Sequence, residues 1–245
     1  MRFLIVVLMV VAGCSADVPP SPPFAVPTTG EPIGLPSDGA SQEPTAKPEA
    51  RVDPTVAAQG FTADVESDAA SYAVVIENPN ATPVSRFINV SIDFLDAEGT
   101  LLATETQNVN GMLPESETAV AGDASFAGSA ATMEVEISLL NGLSSPMGAT
   151  LRENGDYEYR GVQTTGADIG EVTTTGAVVS SLESEQVSVP IHVVYYDAAG
   201  EVVGGAATLV DRVPPGTEVT FEASTAIALP DIAETRVFGQ IGFGE

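Results

Sequence analysis

Two stretches of sequence decide the fold: VSIDFLDAEGTLLATETQNVNGMLPESETAV at residues 90–120 and IHVVYYDAAGEVVGGAATLVDRVPPGTEVTF at residues 191–221. They match at a constant offset of 101 residues. Each has an alternating apolar strand, an Asp-x-x-Gly turn, a second strand and a proline turn. The matched positions are Val90/Ile191, Ile92/Val193, Phe94/Tyr195, Asp96/Asp197, Gly99/Gly200, Pro114/Pro215 and Glu117/Glu218. Period-two alternation predicts half-buried strands, and Asp-x-x-Gly predicts a tight hairpin whose glycine takes a positive φ.

The rest of the chain beyond residue 56 has the same character. Short alternating runs are separated by turn signals such as Asn78-Pro79-Asn80 and Asn154-Gly155-Asp156, and no capped amphipathic helix is evident. A repeat of about 100 residues made of short strands predicts two tandem immunoglobulin-like β-sandwich domains. We place them at residues 57–145 and 146–245, in an all-β fold.

The N-terminus predicts export. Met1-Arg2 precedes an uncharged run at residues 3–12, which is too short for a membrane span and fits a secretory signal peptide at residues 1–13. Val11-Ala12-Gly13-Cys14 resembles the lipobox of bacterial lipoproteins. The resemblance implies that Cys14 becomes the first residue and carries the lipid that anchors the protein outside a bacterial membrane. The alternatives are ordinary cleavage after Ala16, without an anchor, or a misplaced start.

Residues 14–56 predict a lipid-anchored, disordered tether. This segment is rich in proline and small polar residues, so it cannot bury enough apolar surface to offset its ordering entropy. A partly polyproline spacer of this kind would hold the folded part away from the lipid surface.

Each repeat resembles the FxLYD-type domain of bacterial surface proteins. The resemblance rests on VVYYDAAGEVVGG with PPGTEVTF, and less closely on IDFLDAEGTLLAT with PESETAV. It implies a β-sandwich and a surface location but no catalytic residues, since the family has no known function. In the first copy, Glu115 stands where the second copy has the turn glycine, so the pattern does not determine the conformation of that turn.

Charge and composition exclude several classes of function. The formal charge of −26 argues against nucleic acid as a partner, because phosphate binding needs cations. His192, the only histidine, has the opposite phase to Ile191 and Val193, which predicts an outward-facing side chain. One histidine and no spare thiol argue against a Cys/His zinc site or a histidine-based triad. No pair of carboxylates can be nominated for hydrolysis, so we predict no catalytic residue, no cofactor and no enzyme activity.

Weaker patterns fit structural roles. The best candidates for calcium ligands, Asp93/Asp96/Glu98 and Asn154/Asp156/Glu158, lack EF-hand spacing and are interpreted as turn residues, so no metal site is predicted. Tyr157 and Tyr159 are interpreted as core residues, and GGAATLVD and GFGE as glycine-bearing strand ends. Two glycosylation sequons begin at Asn80 and Asn89, with little weight in a bacterial lipoprotein.

The sequence therefore predicts a non-catalytic, tethered interaction module. Its partners would be the membrane, through the lipid on Cys14, and an envelope or extracellular protein bound at sheet edges or loops. Residues 78–85 and 141–148 are candidate contact loops. The alternatives are a lipoprotein that binds a small ligand or Ca2+, a passive structural envelope component, and a hydrolase.

Overall fold

The computed structural model describes residues 52–66, 68–81, 86–144, 157–166, 170–240 and 243–244. These residues contain no helix, and the all-β prediction is confirmed. Cys14 and residues 14–51 of the predicted tether (14–56) lie outside them, whereas Thr55 and Val56 at the end of that range belong to the first strand. The strands are β1 Thr55–Asp64, β2 Ala69–Asn78, β3 Arg86–Leu95, β4 Leu101–Val109, β5 Ser116–Ser125, β6 Thr132–Ser144, β7 Tyr157–Thr165, β8 Thr173–Ser180, β9 Gln186–Tyr196, β10 Val202–Val213, β11 Glu218–Ser224, β12 Glu234–Gly239 and β13 Phe243–Gly244.

The first sandwich consists of two antiparallel sheets. Sheet I has the strand order β1-β2-β5, and sheet II has the order β4-β3-β6. Alternate residues of β2 and β3 point into one shared core because successive side chains leave a strand on opposite faces. At its centre the Phe94 ring meets Tyr72 edge-on, with centroids 5.6 Å apart. The largest fully buried members are Tyr72, Val74, Ile76, Ile88, Val90, Ile92, Phe94 and Val109.

The second sandwich repeats this topology. Sheet III has the order β11-β8-β7, and sheet IV has β10-β9-β12, with β13 continuing along β9. In each copy, the first, second and fifth strands form one sheet and the fourth, third and sixth form the other. Tyr157 is buried in this second core and Tyr159 packs partly buried against it, which confirms the interpretation of both tyrosines.

The paired turns repeat in atomic detail. The carboxylates of Asp96 and Asp197 each accept two backbone N–H groups of their own turn. Gly99 and Gly200 have φ values of 80° and 83°, as predicted. Glu115 takes a φ of 46° where Gly216 has 64°, so the first copy keeps the turn conformation without the glycine.

The two sandwiches pack on each other through sheets I and IV. Ala73, Val75, Ala119 and Ala121 form a third buried cluster with Val194, Tyr196 and Val202. We call this contact the joint. Its formation buries both faces of β2 and β9, so the sheets stack in the order II–I–IV–III. The immunoglobulin-like classification and the domain boundaries at 57, 145 and 146 stay predictions.

Candidate functional site

Several predicted site residues lie outside the described part of the chain. They include Cys14 and the group Asn154/Asp156, together with parts of both candidate loops. In the first loop, the side chain of Asn80 brackets the backbone of Val52, with bonds of 2.9 and 2.7 Å. Its amide nitrogen also donates to Asn78 Oδ1 at 2.8 Å. The Asn80 side chain therefore binds the backbone of Val52, the residue at which the described part of the chain begins.

The first candidate calcium group does not converge on one point. The Oδ1 of Asp93 accepts the Thr104 hydroxyl across the sheet at 2.6 Å. Asp96 accepts the N–H groups of its own turn, and these bonds hold the pKa of its carboxyl below the usual range. Within the described residues, no group of three or more His, Cys, Asp or Glu side chains is placed to hold a metal.

The position of His192 differs from its prediction. Its phase is as expected, opposite to Ile191 and Val193, but that face of β9 packs against sheet I, and the residue is only 4% exposed. The ring Nδ1 accepts the backbone N–H of Ala121 at 3.1 Å. This face of β9 points out of its own sandwich, but it is buried where the two sandwiches pack on each other. Alternation within one strand does not show which sheets of two sandwiches meet.

The contacts of His192 define where its proton lies. A neutral imidazole accepts at one nitrogen only, so Nδ1 is the acceptor and Nε2 carries the proton. Gln240 Nε2 lies 3.1 Å from the ring Nε2 and donates to the Ala119 carbonyl oxygen at 3.4 Å. Burial lowers the pKa of His192 to about 4.

The glycine-bearing segment of β10 is part of the joint. We interpreted GGAATLVD as a strand end, which is wrong: Gly204 and Gly205 lie inside β10, directly after a bulge. A Cβ on Gly205 would lie 2.7 Å from the Cβ of Ala121 and 2.9 Å from that of Ala73. On the facing strand, a Cβ on Gly60 would lie 1.8 Å from the carbonyl oxygen of Val202. Glycine is needed here because two backbones meet, which is a different reason from that of a turn.

The rim of the joint carries charged groups. Asp123 Oδ1 accepts the N–H of Ala226 at 3.2 Å. Asp123 is exposed to solvent, but its carboxylate is partly desolvated by the surrounding protein, which raises its pKa. On another part of the rim, the Arg236 guanidinium lies 4.9 Å from the centre of the Tyr196 ring.

The joint surfaces are not repeated on the outer sheets. At the repeat offset, Asp93 of sheet II occupies the position of Val194, and Glu222 of sheet III occupies that of Ala121. Thr104 stands where Gly205 permits close approach. A further sandwich stacked by the same contact would bury two carboxylates and meet a side chain in place of a glycine, at a cost of several kcal/mol. The sequence therefore favours one joint per chain.

The joint also closes two sheet edges. Ala121 N–H and Ala119 C=O on the free side of β5 meet His192 and Gln240. On β10, Gly205 N–H and C=O both bond to the hydroxyl of Ser71, at 2.9 and 2.7 Å. Unpaired strand edges are templates for further pairing, and the joint occupies both edges at these positions.

The outer edge of β4 is different. It pairs with β3 in unbroken register over seven residue pairs, from Ile88↔Val109 to Phe94↔Ala103. Its sequence LLATETQNV contains no Pro, Lys or Arg, the residues that usually protect an edge. Its exposed face is neutral, with Thr104, Thr106 and Asn108. Among the described residues, no strand pairs with this outer edge.

A shallow groove of about 570 Å³ crosses the outer face of sheet III. Its one cationic side chain, Arg160, already bonds to Glu158 at 2.8 Å and lies 3.7 Å from Glu218. Both carboxylates face solvent on an acidic sheet, so the groove offers no free charge to an anionic ligand.

The comparisons with known proteins leave the family open. No protein-family model matches the chain, and no curated protein matches it, so the FxLYD resemblance stays a prediction. Solved structures of Amycolatopsis orientalis exo-chitosanase CsxA are similar over 75% of this chain. A complex with PNP-beta-D-glucosamine is 14% identical with a TM-score of 0.27, and another structure of the enzyme is 14% identical with a TM-score of 0.26.

The chain spans 26% of the length of these chitosanase chains. At such scores the likeness carries no argument about function. The described residues contain no helix long and apolar enough to cross a membrane.

Proposed function

We propose that this protein is an exported lipoprotein that holds a partner protein by strand addition at the outer edge of β4. Cys14 carries the lipid, residues 15–51 provide reach, and the joined sandwiches present the edge. The partner is an envelope or extracellular protein with an extended segment. No catalytic step is part of the proposal.

The observation that carries the proposal is the contrast between the outer edge of β4 and the edges of β5, β6, β7 and β10. On β5 and β10, the N–H groups of Ala121 and Gly205 bond to side chains across the joint. β7 is interrupted by a bulge between Arg160 and Gln163, and β6 presents Glu134 and Glu136. From Ala103 to Val109, β4 is regular and neutral on its exposed face, so an added strand could bond along these residues.

The joint contributes rigidity to this arrangement. A partner strand gains most when the edge is already ordered, because ordering a flexible binding surface costs free energy on association. The anchor would add local concentration, since both proteins would then share one membrane surface.

The test is site-specific cross-linking in cells. A photoreactive residue replaces Thr106 on the exposed face of β4, and a control chain carries it at Ser138 on β6, the opposite edge strand of the same sheet. We expect one envelope protein to be captured from position 106 and not from position 138. Two lysines, Thr104→Lys and Asn108→Lys, should abolish the capture, whereas Ser138→Lys should not.

The lipid anchor is tested in the same cells. Cys14→Ala should leave the folded part intact and lower the yield of the cross-link. Equal capture from both positions, or capture that survives the two lysines, would refute strand addition at β4. If capture is lost in the Cys14→Ala chain but the chain with an intact anchor and an intact β4 edge still captures the partner, the anchor is needed in addition to the edge.

A further inference from the structure

The joint contains a buried titratable side chain that the proposed function does not use. His192 projects from β9 toward β5 and is one of only a few polar residues that are buried in the described part of the chain. Its two ring nitrogens meet groups on different elements: Nδ1 the backbone of Ala121 on β5, and Nε2 the amide of Gln240, just after β12.

This contact tolerates only the neutral ring. A protonated Nδ1 is a donor and would face the Ala121 N–H, another donor, at 3.1 Å. The positive charge would also be buried in the joint, and an unpaired buried charge is strongly unfavourable.

The charged groups on this face cannot compensate. Those on the elements around the ring are all exposed, whereas His192 is buried. They are Glu77 on β2, Glu117 and Asp123 on β5, Asp211 and Arg212 on β10, and Glu234 and Arg236 on β12. Tyr196 is the other buried titratable residue of the joint, and burial raises its pKa, so its phenol stays neutral in acid. Protonation of His192 is thus the change that acid brings to the interior of the joint.

Water has a short route to the ring. A crevice of about 40 Å³ between the β4–β5 connection and the end of β12 is lined by Met112, Glu117 and Gln240, among others. Gln240 separates this crevice from Nε2 of His192. Rotation of this amide would let water solvate the Nε2–H of the imidazolium, whereas the added proton enters at Nδ1 once its bond to the Ala121 N–H opens.

We propose that the contact of His192 with Ala121 and Gln240 is an acid-released latch, in which protonation of the ring opens the joint while each sandwich stays folded. Each sandwich has its own core, so opening costs mainly the smaller cluster between sheets I and IV. Opening would also free the edges of β5 and β10, which adds two strand edges to that of β4.

Amide hydrogen exchange of the full chain between pH 7 and pH 5 tests the latch. The reporters are the amides of Ala121 and Gly205, which both bond across the joint, and the controls are Val74 and Val193 in the two central strands. After correction for intrinsic rates, a shift of the His192 pKa from 6.5 to about 4 predicts a roughly 20-fold fall in protection of the joint amides. The central amides should keep their protection.

His192→Asn is the matched variant, because its side-chain oxygen can accept the Ala121 N–H but does not titrate. Its joint amides should show little dependence on pH. Simultaneous loss of protection at Val74, Val193 and Ala121 would mean global unfolding and would overturn the latch. If the variant does not fold, the NMR titration of the His192 ring in the native chain decides: an ordinary pKa near 6.5 overturns the proposal, and a value near 4 upholds the required geometry.

Discussion

The hydroxyl of Ser71 holds both backbone groups of Gly205, 134 residues away in the sequence. It accepts the Gly205 N–H at 2.9 Å and donates to the Gly205 carbonyl at 2.7 Å. One side chain of sheet I therefore acts as the neighbouring strand that β10 lacks at this point. Ser71 is fully buried, so water cannot replace it.

Ser71→Ala should destabilise the protein. The substitution leaves a buried N–H and a buried C=O without partners, which costs about 2 to 6 kcal/mol for the two groups together. Denaturant unfolding of the Cys14→Ala chain measures the change. Ser138→Ala, on the exposed face of β6, removes the same hydroxyl and should change the unfolding free energy by less than about 0.5 kcal/mol. Equal effects of the two changes would contradict the role given to Ser71.

Gly60→Ala should destabilise the protein strongly, although it adds only one methyl group. The new methyl group would meet the Val202 carbonyl oxygen at 1.8 Å, so sheets I and IV would have to move apart, at a cost of about 3 kcal/mol or more. Gly122→Ala is the control, because its nearest atom, the Tyr72 hydroxyl oxygen, would be 3.4 Å away. The melting temperatures of the two variants compare them directly. A tolerated Gly60→Ala would show that the joint is looser than the structure indicates.

The repeat could be predicted because it is local. Asp96 and Asp197 determine their turns with their own backbone bonds, and the alternation of Val90, Ile92 and Phe94 determines which face enters the core. These features need only a few neighbouring residues, so the sequence shows them directly.

The joint could not be predicted in the same way because it depends on which sheet meets which. The available signals were small residues at Ala73, Ala121 and Gly205, and the unbroken apolar run at residues 193–196. Strands that are buried on both faces have apolar or small residues at successive positions, which explains both the small residues and the apolar run. His192 appeared outward because alternation within one strand describes one sandwich and not the pair.

Asp123→Asn should stabilise the protein at neutral pH. Partial desolvation raises the pKa of Asp123 in the folded state, so the folded protein holds its proton more tightly than the unfolded chain does. The ionised carboxylate therefore weakens the fold at pH 7, and that penalty is relieved as the pH falls through the raised pKa. Asparagine keeps an oxygen for the Ala226 N–H and does not ionise.

Unfolding free energies of Asp123→Asn and the parent chain between pH 7 and pH 3 measure this effect. The advantage of the variant should shrink on acidification and be lost below the ordinary aspartate pKa near 3.8. Asp211→Asn, on an exposed part of β10, removes the same charge away from Ala226 and separates general charge relief from local desolvation. An advantage of Asp123→Asn that is constant over the whole range would contradict the assignment.

Glu115→Gly should stabilise the first sandwich. Glu115 has a φ of 46°, a left-handed conformation that costs a residue with a Cβ about 1 kcal/mol. Its N–H donates to the Asn80 carbonyl at 2.9 Å, as that of Gly216 donates to Ser180 at 2.8 Å, so the turn is held from outside in both copies. Glycine removes the strain but also frees the unfolded chain, which leaves a net gain of roughly 0.5 kcal/mol.

Two control variants test the cause of this gain. Glu98→Gly removes the same charge at a turn residue without a positive φ and should be neutral or destabilising. Gly216→Ala, the reverse change in the second copy, should cost about 1 kcal/mol. If backbone strain dominates at Glu115, only Glu115→Gly should raise the unfolding free energy, and Gly216→Ala should lower it. A gain of equal size for Glu98→Gly would assign the effect of Glu115→Gly to charge alone.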